Sequence, residues 1–223
     1  MPPAEPPYPY PFSERPEVVS VVPLSARTVL DVGCGLGGFG YALKRTDPGR
    51  VIWGVETDSD AADAAARHYD EVLNGTFPEV FTGCQTRFDC VVFNDVLEHL
   101  EDPWSALRAG VGLLAPRGTV IASIPNVRYI RTVLDLVLRG DWRYTDTGIL
   151  DRTHLRFFTR RTAVELFEHA SLKVDVVRGI NWIGHSRSSL SRLLPLVLRD
   201  FAFTGFLVRG APSPRSQVRS RQS

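Results

Sequence analysis

Thr28-Val-Leu-Asp31-Val-Gly33-Cys34-Gly35-Leu-Gly37-Gly38-Phe39 joins a short apolar run to a cluster of four glycines. An apolar run that stops at glycines suits a buried strand. Glycines after a strand let the backbone turn sharply into a helix and approach a ligand closely, and the helix N-terminus that follows favours negative charge. A strand over Thr28 to Gly33, a loop, and a helix over Phe39 to Lys44 are expected, with Asp47-Pro48-Gly49 ending the helix.

The same rhythm repeats downstream. Val51 to Glu56, a weaker Glu71 to Asn74, Asp89 to Asn94 and Gly118 to Ile124 read as strands. Ser59 to His68 reads as a helix, as does Asp102 to Leu114, where Asp102 caps and Pro103 takes the first helical position. Strands alternating with helices at this spacing mean βαβ units around a parallel sheet. After Pro125 the rhythm changes. Val127 to Arg139 is helical, Gly140 to Phe158 is a long polar and aromatic loop, and such loops inside a compact domain are usually functional. Thr162 to Ala170 restores a helix, Lys173 to Arg178 a strand, Ser188 to Arg199 a helix and Phe203 to Val208 a last strand. The expected fold class is α/β, one doubly wound sheet of about seven strands, mostly parallel with the last antiparallel. Residues 1–12, with six prolines around Tyr8 and Tyr10, form an extended arm; 13–210 form the domain, with an insertion at 126–158; 211–223, rich in Ser, Arg and Pro, form a disordered tail.

Composition narrows the class. The 223 residues are 43% hydrophobic and carry a net charge of +1, enough apolar content for a core and too little basic charge for a nucleic-acid partner. No run of 18 apolar residues marks a membrane span, and no charged-then-apolar leader is visible, so a cytoplasmic location is expected. Cys34, Cys84 and Cys90 are too few for a disulfide framework and lack the histidine spacing of a zinc site. No metal is expected.

Gly33, Gly35 and Gly38 also satisfy a dinucleotide fingerprint, and Glu56, ending the second strand, could take both hydroxyls of a ribose in either reading. Asp31 separates them. A carboxylate two residues before the first glycine repels a pyrophosphate and attracts the ammonium and sulfonium of S-adenosylmethionine. Asp31 to Gly37 resembles motif I of the class I S-adenosylmethionine-dependent methyltransferases, with Glu56 as the acid after the second strand. Phe88-Asp-Cys-Val-Val-Phe-Asn94-Asp95-Val-Leu-Glu-His99-Leu100 and Leu114-Ala-Pro-Arg-Gly118 resemble the fourth- and fifth-strand motifs of the ubiquinone-biosynthesis-type branch, with Arg117 where glycine is usual. The resemblance implies a Rossmann-like sheet and a cofactor site at Asp31, Gly33, Cys34, Gly35, Gly37, Glu56 and Thr57, with Asn94 and Asp95 at the cofactor's methionine end or orienting His99. Where many relatives hold the adenine amine with an acid, this chain has Gly75-Thr76-Phe77, so adenine recognition rests on backbone groups and Phe77.

Methyl transfer to a hydroxyl needs a base, and His99 or His154 can supply one. His154 sits in Thr145-Asp-Thr-Gly-Ile-Leu-Asp151-Arg152-Thr-His154-Leu-Arg156-Phe-Phe-Thr159, similar to a segment of bacterial methyltransferases of glycan and polysaccharide assembly. There Asp151, Arg152 and Arg156 could grip hydroxyls while Trp142 and Tyr144 stack on a sugar face; the competing reading pairs Asp151 with Arg152 and makes His154 a loop fastener. A sugar or glycan hydroxyl is the leading acceptor. A phenol, quinol or carboxylate acceptor, a nicotinamide oxidoreductase and a non-catalytic cofactor-binding accessory protein are the alternatives.

Overall fold

β1 (Thr28–Val32) lies between β2 (Val51–Glu56) and β4 (Phe88–Asn94) and runs parallel to both, with Val29 opposite Ile52 on one side and Cys90 on the other. Residues 29–32 are all buried, as a central strand covered on both faces requires. The computed structural model describes residues 11–182 and 196–213. The Tyr8/Tyr10 part of the arm, residues 188–195 of the expected Ser188 to Arg199 helix and the tail from 214 lie outside them.

Adding β3 (Glu71–Asn74), β5 (Leu114–Pro125), β6 (Leu172–Trp182) and β7 (Phe203–Pro212) gives a seven-stranded sheet in the order β3-β2-β1-β4-β5-β7-β6. β7 alone runs antiparallel, between β5 and β6, as expected of the last strand. Leu30, Phe88, Phe93 and Phe167 fill one side of the sheet, and Val29, Leu43, Ile52 and Ile121 the other. The chain reverses its winding between β1 and β4, which opens a crevice at their carboxyl ends. Among the described residues no helix is long and apolar enough to cross a membrane.

Around the sheet lie α1 (Pro16–Val19), α2 (Gly38–Thr46), α3 (Ser59–Ala65), α4 (Pro103–Gly112), α5 (Ile130–Arg139), α6 (Arg160–His169) and α7 (Leu196–Arg199). Asp102 caps α4 as expected, accepting from Ser105 N at 3.0 Å. Several boundaries differ from the sequence reading, each for a local reason. α5 starts at Ile130 and not at Val127, because Asn126 turns inward, donates from Nδ2 to the carbonyls of Asp200 and Phe203, and accepts from Arg128 N. β5 starts four residues before Gly118, with Leu114 opposite Phe88 ahead of a register shift. β7 runs past Val208 to Pro212, with Ala211 paired to Lys173, so Ala211 and Pro212 belong to the sheet and not to the tail. α3 stops short of His68, which frees Tyr69 to point into the protein.

That tyrosine completes α2. The N-cap is Gly37, which has no side chain to accept from the first turn, and the Tyr69 hydroxyl accepts from Gly40 N at 3.0 Å instead. A Cβ on Gly40 would overlap the Tyr69 ring. Glycine to alanine inside a helix usually stabilises by about 1 kcal/mol. Gly40→Ala is expected to do the reverse, losing about 1–3 kcal/mol to overpacking. Chemical denaturation tests it, and an unchanged or raised midpoint would refute it.

Candidate active site

The crevice begins at the glycine loop. Gly33 and Gly35 sit at φ 72° and 51°, and a Cβ on Gly33 would stand 2.6 Å from Val96 Cγ2. Both features explain why the turn out of β1 is glycine. Glu56, at the end of β2, is held from three directions. Its Oε2 accepts from Gly35 N at 2.9 Å, and its Oε1 from Thr57 N at 2.8 Å and Asp58 N at 3.1 Å.

Asp31 is 1% exposed, with Oδ2 accepting from the Tyr69 hydroxyl at 2.6 Å and Oδ1 from Asn94 Nδ2 at 3.0 Å. Burial pushes its carboxyl up to about 7, against the lowering effect of those two hydrogen bonds and of Arg15. The other side-chain acceptor of this corner, Asn94 Oδ1, is buried with no partner. Burial and the charges of Asp31 and Glu56 push the Cys34 thiol well up, so Cys34 packs as an apolar side chain.

The N-terminal segment crosses the crevice. A Cβ on Gly38 would collide with the Ser13 backbone, so glycine there lets the segment pass against the start of α2. Phe12 packs against Tyr41 and His68, with ring centroids 5.8 and 5.5 Å away. Arg15 reaches Asp95 at 2.6 Å.

Beyond β4, a turn at Leu97–His99 brings Glu98 and His99 to the crevice. The Glu98 carbonyl accepts from Leu155 N at 2.8 Å and Arg156 N at 3.0 Å, which fastens the insertion to the crevice. The Glu98 carboxyl is 1% exposed and both its oxygens lack a hydrogen-bond partner. Burial, helped by the charge of Asp95, pushes it well above the usual carboxylate range. His154 is buried, donates from Nδ1 to the Ile149 carbonyl at 3.0 Å and turns Nε2 to within 4.0 Å of Glu98 Oε1. His99 lies edge-on to His154 with centroids 4.6 Å apart, and its Nδ1 meets Thr153 Oγ1 at 2.9 Å. One ligand atom from each of Glu98, His99 and His154 lies within 4.8 Å of the others, a group that could hold a metal ion. The expectation of no metal therefore meets a donor set suited to one.

These features share one cavity of about 710 Å³, within the range of small-molecule sites. Residues 12–177 match the methyltransferase-domain family model. The ubiquinone biosynthesis O-methyltransferase of Coxiella burnetii (strain Dugway 5J108-111) is 31% identical over 166 residues, covering 72% of this chain and 70% of that protein. The chain belongs to the class I S-adenosylmethionine-dependent methyltransferases. Its fold agrees. A methyltransferase of Archaeoglobus fulgidus superposes with a TM-score of 0.62 at 15% identity, covering 84% of this chain and 86% of that one. The plantazolicin methyltransferase in complex with SAH gives 0.58 at 15% identity, covering 84% and 77%. The nicotinamide oxidoreductase alternative falls with this assignment.

The methyltransferase's cavity fits S-adenosylmethionine on its own terms. The close-approach glycine at Gly33, the Glu56 carboxylate at the end of β2 and the orphaned Asn94 Oδ1 beside Asp31 suit a backbone-hugging ribose and an ammonium donor. Of the residues expected to hold the cofactor, Asp31, Gly33, Cys34, Gly35, Glu56, Thr57, Gly75, Thr76, Phe77, Asn94 and Asp95 line the cavity. Gly37 does not line it. A Cβ there would meet Ala65 Cα at 2.9 Å, so its lack of a side chain serves the packing of α2 on α3.

His99, His154 and Asp151 line the cavity, but four residues expected to grip the acceptor do not. Trp142 and Tyr144 pack against Phe157. Arg152 pairs with Asp146, and Arg156 donates to the Glu101 carbonyl over the Trp104 ring. Asp151 accepts from Thr153 and makes no ion pair with Arg152. His99 takes its orienting bond from Thr153, while Asp95 is engaged by Arg15 and Ser123. Sequence reading passed over Arg15, Tyr69, Glu98 and Thr153. Glu98 left a trace, an acid between Leu97 and a histidine straight after an apolar strand. The others act through contacts distant in sequence and left none.

Proposed function

We propose that this methyltransferase transfers the methyl group to a hydroxyl of a sugar or glycan intermediate, with His99 as the general base. The polarity of the acceptor wall carries the reading. Asp146, Thr147, Asp151, Thr153, His99 and His154 line the cavity beside Leu100, Ile149 and Ile180, and the lone pairs and N–H groups they have left over can take the hydroxyls of a polyhydroxylated acceptor. His99 is preferred to His154 because it is partly exposed, whereas His154 is buried with Nε2 turned to Glu98. The cofactor, when bound, supplies an electrophilic methyl group and a neutral leaving group. The protein's part is to align the hydroxyl and accept its proton.

A phenol or quinol acceptor is the second reading, favoured by the name of the curated relatives, ubiquinone biosynthesis O-methyltransferases. Release of S-adenosylhomocysteine, measured with sugars, oligosaccharides and phenols and repeated after chelation, tests both. Turnover confined to hydroxylated sugars is expected. Turnover with phenols alone would overturn the sugar acceptor. Loss on chelation, restored by a divalent cation, would assign Glu98, His99 and His154 to a metal and remove His99 as the base. Tight cofactor binding with no release would leave the accessory-protein alternative.

A further inference from the structure

We propose that Thr153 and Asp151 are positioning residues that fix His99 in the Nδ1–H tautomer and so present an unprotonated Nε2 to the acceptor. This deepens the reading of His99 as the base and rests on it. Proton counting in a three-membered chain carries the argument. Asp151 Oδ1 lies 2.7 Å from Thr153 Oγ1 and 2.8 Å from Thr153 N, and Thr153 Oγ1 lies 2.9 Å from His99 Nδ1.

Two oxygens 2.7 Å apart need a proton between them, and a hydroxyl has one to give. The Asp151 carboxyl cannot supply it. Its Oδ1 also accepts from Thr153 N, so the lone pairs of that oxygen face both Thr153 groups. Asp151 Oδ1 is therefore the acceptor, and Thr153 spends its proton on it. The Thr153 oxygen is left with lone pairs only toward His99, so the ring must donate from Nδ1. In a neutral imidazole that donates from Nδ1, the second nitrogen, Nε2, carries the free lone pair.

The groups facing His99 agree with this assignment. His154 meets it edge-on, and its own Nδ1 is committed to the Ile149 carbonyl, so it does not compete for Thr153. The Glu98 carboxyl, beside it in sequence, has no hydrogen-bond partner. The Asp-x-Thr-His order of residues 151–154 is part of the device. The turn that closes on Asp151, with His154 N donating to the Asp151 carbonyl at 3.0 Å, sends the Thr153 hydroxyl toward His99 while the next residue lines the same cavity.

The test is the ring-nitrogen spectrum of His99 in the full chain, read by long-range 15N–1H correlation and assigned with His99→Gln. Wild type should show a protonated Nδ1 and a bare Nε2. Thr153→Val keeps the shape without the hydroxyl and should shift the ring toward Nε2–H, with kcat falling about five- to tenfold, the worth of one such hydrogen bond. Thr153→Ser should restore both. Asp151→Asn should weaken the preference, because its amide can donate to Thr153 and free the hydroxyl proton for His99. An Nε2–H ring in wild type, or a Thr153→Val spectrum unchanged from wild type, overturns the proposal. The spectrum does not depend on turnover. A correct tautomer in a protein whose His99 variants keep full activity would refute the base and leave the positioning chain standing.

Discussion

His99→Ala should lower kcat by about 10²–10⁴-fold, the usual contribution of a positioned base, and leave cofactor affinity unchanged. The separation follows from the contacts. His99 meets Thr153 and His154, neither of which holds the glycine loop, while Glu56 and Asp31 are fixed by Gly35, Thr57, Tyr69 and Asn94. Single-turnover rates of S-adenosylhomocysteine formation measure the first quantity and calorimetric titration the second. The size of the loss also reports on the acceptor. A sugar hydroxyl holds its proton far above neutral pH and needs the base throughout the transfer, whereas a phenol ionises near pH 10 and needs it less. A fall near the upper end therefore supports the sugar and one near the lower end the phenol. A fall of less than about tenfold would move the base to His154. His154→Ala then becomes the decisive variant, judged beside its melting temperature because that ring is buried.

The parts of this molecule legible in the sequence are those written in local pattern. β2 and β3 fall where the apolar runs put them, and Asp102-Pro103 marks the start of α4, because strand burial and helix capping are decided within a few residues. The glycine loop was legible for the same reason, since a backbone that turns at Gly33 and Gly35 excludes almost every other residue. The insertion was not. Trp142, Tyr144, Arg152 and Arg156 have the chemistry of a sugar grip, but whether an aromatic or an arginine faces a cavity depends on what packs behind it. Phe157, Asp146 and Glu101 claimed these four. The same reasoning explains Tyr69, which lies one residue beyond the expected Ser59 to His68 helix and closes α2 onto Asp31.

Cofactor affinity should rise as pH rises through about 7, because Asp31 is protonated below that point and ionised above it. The carboxyl is wholly enclosed. Tyr69 and Asn94 touch it, Arg15 attracts its charge and Glu56 opposes it, and burial outweighs the favourable contacts in the free protein. A cation placed beside it reverses the balance, so binding releases one proton wherever Asp31 starts neutral. The dissociation constant should then fall about tenfold per pH unit below 7 and level off above it. S-adenosylhomocysteine, which lacks the sulfonium charge, should show a shallower slope. The cofactor-free protein should behave in the opposite sense. Its Asp31 value is raised from 3.8 to about 7, so the contribution to stability is fully present below the unfolded value and is lost as pH rises through about 7. Added S-adenosylmethionine should therefore raise the melting temperature more at pH 8 than at pH 6. Asp31→Asn keeps the shape, accepts from Tyr69 and cannot ionise, so both pH dependences should disappear and affinity at pH 8 should drop toward the wild-type value at low pH. A wild-type affinity that is flat from pH 5.5 to 8.5 would mean that Asp31 is already ionised before the cofactor arrives, with Arg15 and the two hydrogen bonds sufficient to hold its charge.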